Sequence, residues 1–197
     1  MAEEAKLVYA FVKRKISVLC EARNEAASRA ELAKLRRGIG KPPGSMSELW
    51  GITLEGMPKE LSGGKEPSAG EWAAYTALTL FALHQQGKDL KRECMSKEGV
   101  SLGAAVRTLI KSEDEEARVK RRFDAAATAS SIEEFTTHLR GLVQLLKAEG
   151  AVLDYPALAQ DIFSFQNPAY RDSVRLNWGR EFYKRAKRET GEDTETK

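Results

Sequence analysis

The chain has 197 residues, of which 42% are hydrophobic and 31% are charged, and its mean hydropathy is −0.47. These values are typical of a soluble globular protein with one domain of ordinary size or two small lobes, and they exclude a chain built mainly from membrane spans. Its net charge of +3 is a weak signal, so the distribution of charge is more informative than its sum.

Apolar residues recur at helical spacing from Glu3 to about Asn24, and this pattern predicts an amphipathic first helix. Three consecutive basic residues, 13–15, interrupt the apolar stretch, so we expect neither a signal peptide nor a membrane span here. Cys20 and Cys94 lie far apart and follow no recognisable spacing, so the sequence predicts no disulfide framework. A reducing cytoplasm is the location we expect.

The next segment predicts a short helix followed by an exposed loop. Ser28 and Glu31 have the spacing of a capping box, and Gly38 can end the helix that this box opens. A stretch rich in glycine and proline follows, which predicts a stiff loop rather than a continued helix. Beyond this loop we expect one helical turn that packs Leu49 and Trp50 against the core.

The segment from Ser68 to Gly87 predicts the most buried helix of the chain. Ser68 and Glu71 form a capping box, and Gly87 can end the helix in the left-handed conformation. No charged residue lies between Trp72 and Leu83, and apolar side chains point in every direction around the axis. We therefore expect burial on most faces, Trp72 included.

Capping residues predict the starts of the remaining helices, at Ser101, Ser112, Ser131, Asp154 and Asn167. In the last helix four large apolar residues recur every four positions and predict a buried stripe: Tyr170, Val174, Trp178 and Phe182. No segment alternates apolar and polar residues as a strand would.

The sequence therefore predicts an all-α fold of about eight helices in two packed helical lobes. We place the N-terminal helical lobe at 1–111, the C-terminal helical bundle at 112–189 and a disordered tail at 190–197.

Catalytic signals are weak. His84 and His138 are the only histidines, each within a predicted helix and without a partner at metal-ligand spacing. The acidic run 113–116 suits the first turn of a helix, where the helix dipole favours negative charge. We therefore expect no catalytic residue, no metal and no cofactor, and an enzyme is the minority interpretation.

Basic residues concentrate in the windows 29–41 and 171–188, whereas acidic residues concentrate elsewhere. Basic patches on a nearly neutral protein favour a polyanion binder, and arginine grips phosphate with two parallel hydrogen bonds. The structural alternative is that each patch is an ordinary solvated helix face.

Seven segments occur in an order and spacing that resemble one known family: AKLRRGIGKP at 33–42, ALTLFALHQQ at 77–86, SLG at 101–103, RRF at 121–123, HLR at 138–140, VLDY at 152–155 and RLNWGR at 175–180. Together they resemble CasB, the small-subunit family of the type I-E CRISPR effector complex Cascade. The resemblance runs from about Arg29 to Lys184.

This resemblance implies an all-helical, non-catalytic protein present as two copies in a complex. The expected partners are a guide RNA, target DNA, a large subunit, repeated backbone subunits and the second copy, with no membrane contact. Basic surfaces would hold the opened DNA, including its displaced strand, during antiviral interference.

The resemblance matches Arg36 and Arg37 to a first arginine pair of the family, Arg121 and Arg122 to a second, and Arg140 to an arginine of the next helix. We expect the two pairs to line one groove that binds phosphate. The other nucleic-acid-binding candidates are basic positions of this sequence: Lys41, Arg107, Arg118, Arg171, Arg175 and Arg180.

Two alternatives remain open. A helical protein–protein adaptor would use the same basic faces to bind acidic surfaces of partner proteins. A helical metal-dependent nuclease is the more distant possibility.

Overall fold

A computed structural model describes residues 1–22 and 24–184 of the protein. Within these ranges the chain forms nine α-helices and no β-strand, which confirms the all-α class. The helices are α1 (Ala2–Glu21), α2 (Glu25–Arg37), α3 (Trp50–Thr53), α4 (Ala69–His84), α5 (Leu102–Arg107), α6 (Glu113–Thr128), α7 (Ile132–Glu149), α8 (Tyr155–Phe165) and α9 (Pro168–Tyr183). The predicted tail at 190–197 lies outside the described residues.

Helices α4 to α9 begin at the capping residues that the sequence predicts. In each case the capping side chain accepts a hydrogen bond from a backbone N–H of the first turn, which would otherwise have no partner. Ser68 and Glu71 form a complete capping box, since each side chain bonds the backbone N–H of the other residue. The other caps are Ser101, Ser112, Ser131, Asp154 and Asn167.

The predicted start of α2 is wrong. The helix begins at Glu25, and its cap is Asn24, whose side chain accepts from the N–H of Ala27. Ser28 lies buried inside the helix, where its hydroxyl donates to the carbonyl of Leu19 in α1. The Ser28 hydroxyl, which the sequence pattern assigned to a helix cap, therefore forms a hydrogen bond with another helix.

Helix α4 packs against α1, α2, α7 and α8, and its residues from Ala73 to Ala82 are all buried. This confirms the predicted central helix, with one exception. Trp72 is only half-buried, because it borders an open cleft between α4 and α7.

The partial exposure of Trp72 lowers the cost expected for its removal. The Trp72→Ala substitution should reduce the free energy of unfolding by about 1–2 kcal/mol, less than the 3–5 kcal/mol or so typical of a fully buried tryptophan. Urea unfolding of the variant and the parent measures this difference. A loss above about 3 kcal/mol would show that Trp72 is part of the core.

Two further aromatic residues are more exposed than predicted. Tyr170 is 43% exposed, whereas Val174, Trp178 and Phe182 of the same stripe are buried. A four-residue spacing advances about 40° per step relative to the 3.6-residue turn, so Tyr170 lies about 120° around α9 from Phe182. Trp50 is 50% exposed, and its indole N–H donates to the carbonyl of Gly44 in the loop before it.

Trp178 lies at the centre of an aromatic cluster that joins four helices. Its ring stacks on Phe135 of α7 and Phe165 of α8, with centroids 5.6 and 5.8 Å away, and it also contacts Phe123 of α6. Helix α5 lies directly on α9 because residue 103 is glycine. A Cβ there would stand 2.2 Å from the carbonyl oxygen of Trp178.

Asp161 of α8 accepts a hydrogen bond from the indole N–H of Trp178 at 2.6 Å. Burial raises the pKa of the Asp161 carboxyl to about 6, because desolvation of the charged form outweighs the effect of the indole donor. The folded protein thus keeps a proton that the unfolded chain loses near pH ~4. The stability that this proton confers is complete below about pH 4 and is lost as the pH rises through about 6.

The Asp161→Asn variant tests this raised pKa. An asparagine stays uncharged and can still accept a hydrogen bond from Trp178. The difference in free energy of unfolding between the variant and the parent should therefore increase by about 2–3 kcal/mol, in favour of the variant, as the pH rises from roughly 4 to 8. Urea unfolding at both pH values provides the comparison, in which all other titrating groups cancel. If the free energy of unfolding depends on pH in the same way in both proteins, the raised pKa of Asp161 is contradicted.

The division into two lobes at residue 111 stays a prediction. Helix α8 packs against both α1 and α4, which precede that boundary, and also against α9, which follows it. One hydrophobic cluster contains buried residues from both sides. Among the described helices, none is both long and apolar enough to cross a membrane.

Candidate nucleic-acid interface

The first predicted arginine pair lies at the C-terminal end of α2, and α4 fixes its position. The hydroxyl of Tyr75 in α4 donates to the carbonyl of Gly38 at 2.9 Å, immediately after Arg37. A Cβ on residue 38 would stand 2.5 Å from that hydroxyl oxygen, so glycine is needed for the approach. The central helix therefore sets the placement of the arginine pair.

The two arginines of this pair have different surroundings. Arg37 is exposed and forms an ion pair with Glu48 at 2.9 Å. Arg36 lines a cleft of about 450 Å³ between α2 and the segment 85–91, and it has no carboxylate partner among the described residues. Arg36 is therefore more available to an external anion than Arg37 is.

Lys41 borders a second cleft of about 270 Å³, between the loop after α2 and the first turns of α7. Helix α4 forms its floor, and Glu133, Thr136 and Thr137 of α7 form the opposite wall. Arg140 follows one turn later on the same side of α7 and is exposed. Lys41 and the acidic Glu133 thus line the same groove, and Arg140 lies beyond its lining, one turn further along α7.

The second predicted arginine pair lies on the outer face of α6. Val119, Phe123 and Ala126 bury the inner face of this helix, so Arg121 and Arg122 are exposed to solvent. Neither has an ion pair within the described part of the chain. Arg118 lies one turn before Arg122, and its nearest carboxylate, on Glu115, is 4.0 Å away. The face carries three positive charges within about two helical turns.

Arg107 and Arg180 occupy the ends of α5 and α9. The guanidinium of Arg107 lies 5.9 Å from the ring centroid of Phe182 and 3.7 Å from a carboxylate oxygen of Glu116. Arg180 is exposed in the last turn of α9 and pairs with no carboxylate among the described residues. Of these two arginines, Arg180 has the less engaged guanidinium.

Arg171 and Arg175 have structural contacts that the sequence did not reveal. The Nε of Arg171 donates to the carbonyl of Phe165, the last residue of α8, and the Nε of Arg175 donates to the carbonyl of Ala127 near the end of α6. Both guanidinium groups also lie over the Phe165 ring. Because terminal helix carbonyls lack intrahelical partners, these two side chains act as caps for neighbouring helices.

The two arginine pairs are not in contact with each other. Helix α2 packs on α4, α4 packs on α7, and α7 packs on α6. The two helices that carry the pairs are thus connected through α4 and α7. That the two pairs line one groove remains a prediction. Arg140 lies on α7, which packs against both α4 and α6.

Lys147 was not among the residues predicted from the sequence, although it lies on the same side of α7 as Arg140. Its ammonium donates to the side chain of Gln86 at 2.8 Å, next to the cleft that contains Arg36. The two residues are seven positions apart, which is two helical turns. A search of the sequence for basic residues seven positions from Arg140 would have identified Lys147 as part of this side of α7.

Neither histidine belongs to a group that resembles a catalytic or metal centre. His84 is fully buried, with its Nδ1 2.9 Å from the hydroxyl of Tyr155, and burial lowers the pKa of its ring to about 4. His138 lies partly exposed beside Glu134, with 3.7 Å between the ring and the carboxylate. Over residues 1–22 and 24–184, no three His, Cys, Asp or Glu side chains converge as metal ligands would.

The fold and these surfaces define an all-α protein with exposed arginines on several separate helices. The sequence model of a family described as "CRISPR-associated protein Cse2" matches residues 31–183. The crystal structure of CasB from Thermobifida fusca shares 31% identity, covers 89% of this chain and 97% of that chain, and has a TM-score of 0.75. A comparison with curated proteins found no match.

The chain therefore belongs to the CRISPR-associated Cse2 family, and its resemblance to CasB is confirmed. This is a family of small subunits of the CRISPR complex Cascade. The crystal structure of CasB from M. ruber is similar in fold, with 20% identity, a TM-score of 0.65, and coverage of 88% of this chain and 92% of that chain.

Proposed function

We propose that the chain is the non-catalytic small subunit of a cytoplasmic type I-E Cascade complex and that it holds opened target DNA through its exposed arginines. The observation that carries the proposal is the division among the candidate arginines. Arg171 and Arg175 are engaged with backbone carbonyls, whereas a second group is exposed or borders a cleft and has no carboxylate partner among residues 1–22 and 24–184. This group consists of Arg36, Arg121, Arg122, Arg140 and Arg180.

Arginines that have no carboxylate partner within the described ranges, on separate helices, suit a nucleic-acid backbone. Exchanging a DNA duplex for an RNA–DNA hybrid and a displaced strand is nearly balanced in free energy, so protein contacts to phosphate can shift the equilibrium. Binding of this kind needs no reading of bases, and its affinity falls steeply with salt. The partners we propose are guide RNA, target DNA, the large and backbone subunits, and a second copy of the chain.

Binding of single-stranded DNA over a salt series tests the proposal. We expect the isolated protein to bind a fluorescent oligonucleotide at low salt, with little dependence on sequence. The logarithm of the association constant should fall linearly with the logarithm of salt concentration, by roughly 0.7 per phosphate contact. Absence of binding at the lowest salt would contradict a nucleic-acid role for the isolated chain and favour an adaptor.

One observation favours a protein contact on part of the surface. Leu176 and Tyr183 are 54% and 62% exposed on the outer side of α9, two turns apart, with Arg180 between them. Exposed apolar residues are common at protein interfaces, and arginine is enriched there too. An adaptor role, in which the outer face of α9 with Arg180 contacts another subunit and not DNA, is therefore the second candidate function for this face.

A further inference from the structure

The fold brings the two cysteines together although 73 residues separate them in the sequence. The Sγ atom of Cys20, in the last turn of α1, lies 3.5 Å from the Sγ atom of Cys94, in the segment between α4 and α5. Both are free thiols and both are half-buried. The two sulfur atoms are in contact, and a disulfide, with its S–S bond of about 2.05 Å, requires them to approach by about 1.5 Å.

Both thiols are held in place by their neighbours. Gln85, just after α4, accepts from the N–H of Met95 at 2.8 Å and donates to the carbonyl of Glu93 at 3.0 Å, so it fixes the residues on each side of Cys94. On the other side of the pair, the carbonyl of Leu19 accepts from the buried hydroxyl of Ser28. Hydrogen bonds of the packed fold therefore support the approach of the two sulfur atoms.

The thiols can be reached from solvent. Cys20 and Cys94 line a cleft of about 260 Å³ whose other walls include Ser17 and Glu98. Hydrogen bonds from the Cys20 thiol and from the backbone N–H of Ser96 lower the pKa of Cys94, whereas the bond to Cys94 and burial raise the pKa of Cys20. Cys94 is thus the better nucleophile of the two, because the thiolate is the reactive form.

We propose that Cys20 and Cys94 are a redox modification site, at which a small disulfide such as glutathione disulfide converts the two thiols into an intramolecular disulfide that fastens α1 to the segment before α5. The Cys94 thiolate attacks one sulfur of glutathione disulfide, forms a mixed disulfide and releases one glutathione thiolate. Cys20 then loses its proton to solvent and attacks the Cys94 sulfur, which releases the second glutathione. The protein loses two protons and two electrons, which together equal two hydrogen atoms, and one glutathione disulfide becomes two glutathione molecules.

Equilibration of the reduced full-length chain with a series of glutathione redox buffers tests the proposal. Samples are quenched with acid, alkylated and weighed by intact-protein mass spectrometry. We expect the parent to lose the mass of two hydrogen atoms and both alkylation sites without forming dimers. The Cys20→Ser variant is the matched control, and Cys94 in it should carry one glutathione.

The same titration of the chain unfolded in guanidinium shows how much of the tendency to form the disulfide comes from the folded structure. The equilibrium constant for disulfide formation should be at least about 30-fold larger in the folded chain than in the unfolded chain, since the fold holds the sulfur atoms together. Equal constants in the two states would overturn the proposal. So would a folded parent that retains two alkylatable thiols, carries two glutathiones, or forms only disulfides between chains.

Discussion

Replacement of Trp178 by alanine should lower the free energy of unfolding by about 3–5 kcal/mol. The side chain is 1% exposed and contacts rings from α6, α7 and α8, so its removal leaves a cavity where these helices meet α9. The carboxylate of Asp161 also loses its indole donor. Urea unfolding followed by circular dichroism measures the change.

Two variants serve as controls for this prediction. Tyr170→Ala removes an aromatic ring from the same helix at a position that is 43% exposed, and it should cost no more than about 1 kcal/mol. Trp178→Phe keeps most of the ring but loses the hydrogen bond to Asp161, so it should fall between the two. Equal costs for Trp178→Ala and Tyr170→Ala would show that the aromatic cluster does not hold α9.

The double charge reversal Arg121→Glu/Arg122→Glu should weaken binding of single-stranded DNA roughly 10- to 100-fold at about 0.1 M salt. Both side chains are exposed and have no carboxylate partner within the described ranges, so the change removes contacts to an external anion without breaking internal ones. If each arginine contacts one phosphate, the slope of log affinity against log salt should decrease by about 1.4.

A matched control separates local contacts from net charge. Lys59→Glu/Lys65→Glu makes the same change in net charge at two exposed lysines of the segment between α3 and α4. This control should retain most of the affinity of the parent and its full salt slope. If both double variants lose affinity equally, the α6 face has no specific part in binding, and only the overall field of the protein matters.

The helix boundaries were predictable wherever the signal is local. The starts of α4 to α9 follow from capping residues that bond to backbone groups within the same turn, so the sequence alone contains both partners. Ser28 has the same pattern but donates to Leu19 of another helix. Such a contact depends on how α1 and α2 pack, and local spacing carries no information about it.

The surroundings of the candidate arginines were less predictable than their positions. Their exposure on α6 follows from the helical period, because the buried residues of that helix define the opposite face. The engagement of Arg171 and Arg175 with backbone carbonyls depends on where α8 and α6 end in space relative to α9. The contact between Cys20 and Cys94 is of the same kind, since only the packed fold brings the two segments together.

Formation of the complete R-loop by reconstituted Cascade is the most direct test of the proposed role. Complexes carrying the Arg121→Glu/Arg122→Glu subunit should assemble with the normal subunit ratio, because both side chains are exposed and form no ion pair or hydrogen bond within residues 1–22 and 24–184. We expect such complexes to recognise target DNA but to open it fully in a smaller fraction of molecules, with the deficit growing as salt is raised. Assembled complexes that open target DNA as completely as the parent at every salt concentration would contradict the account.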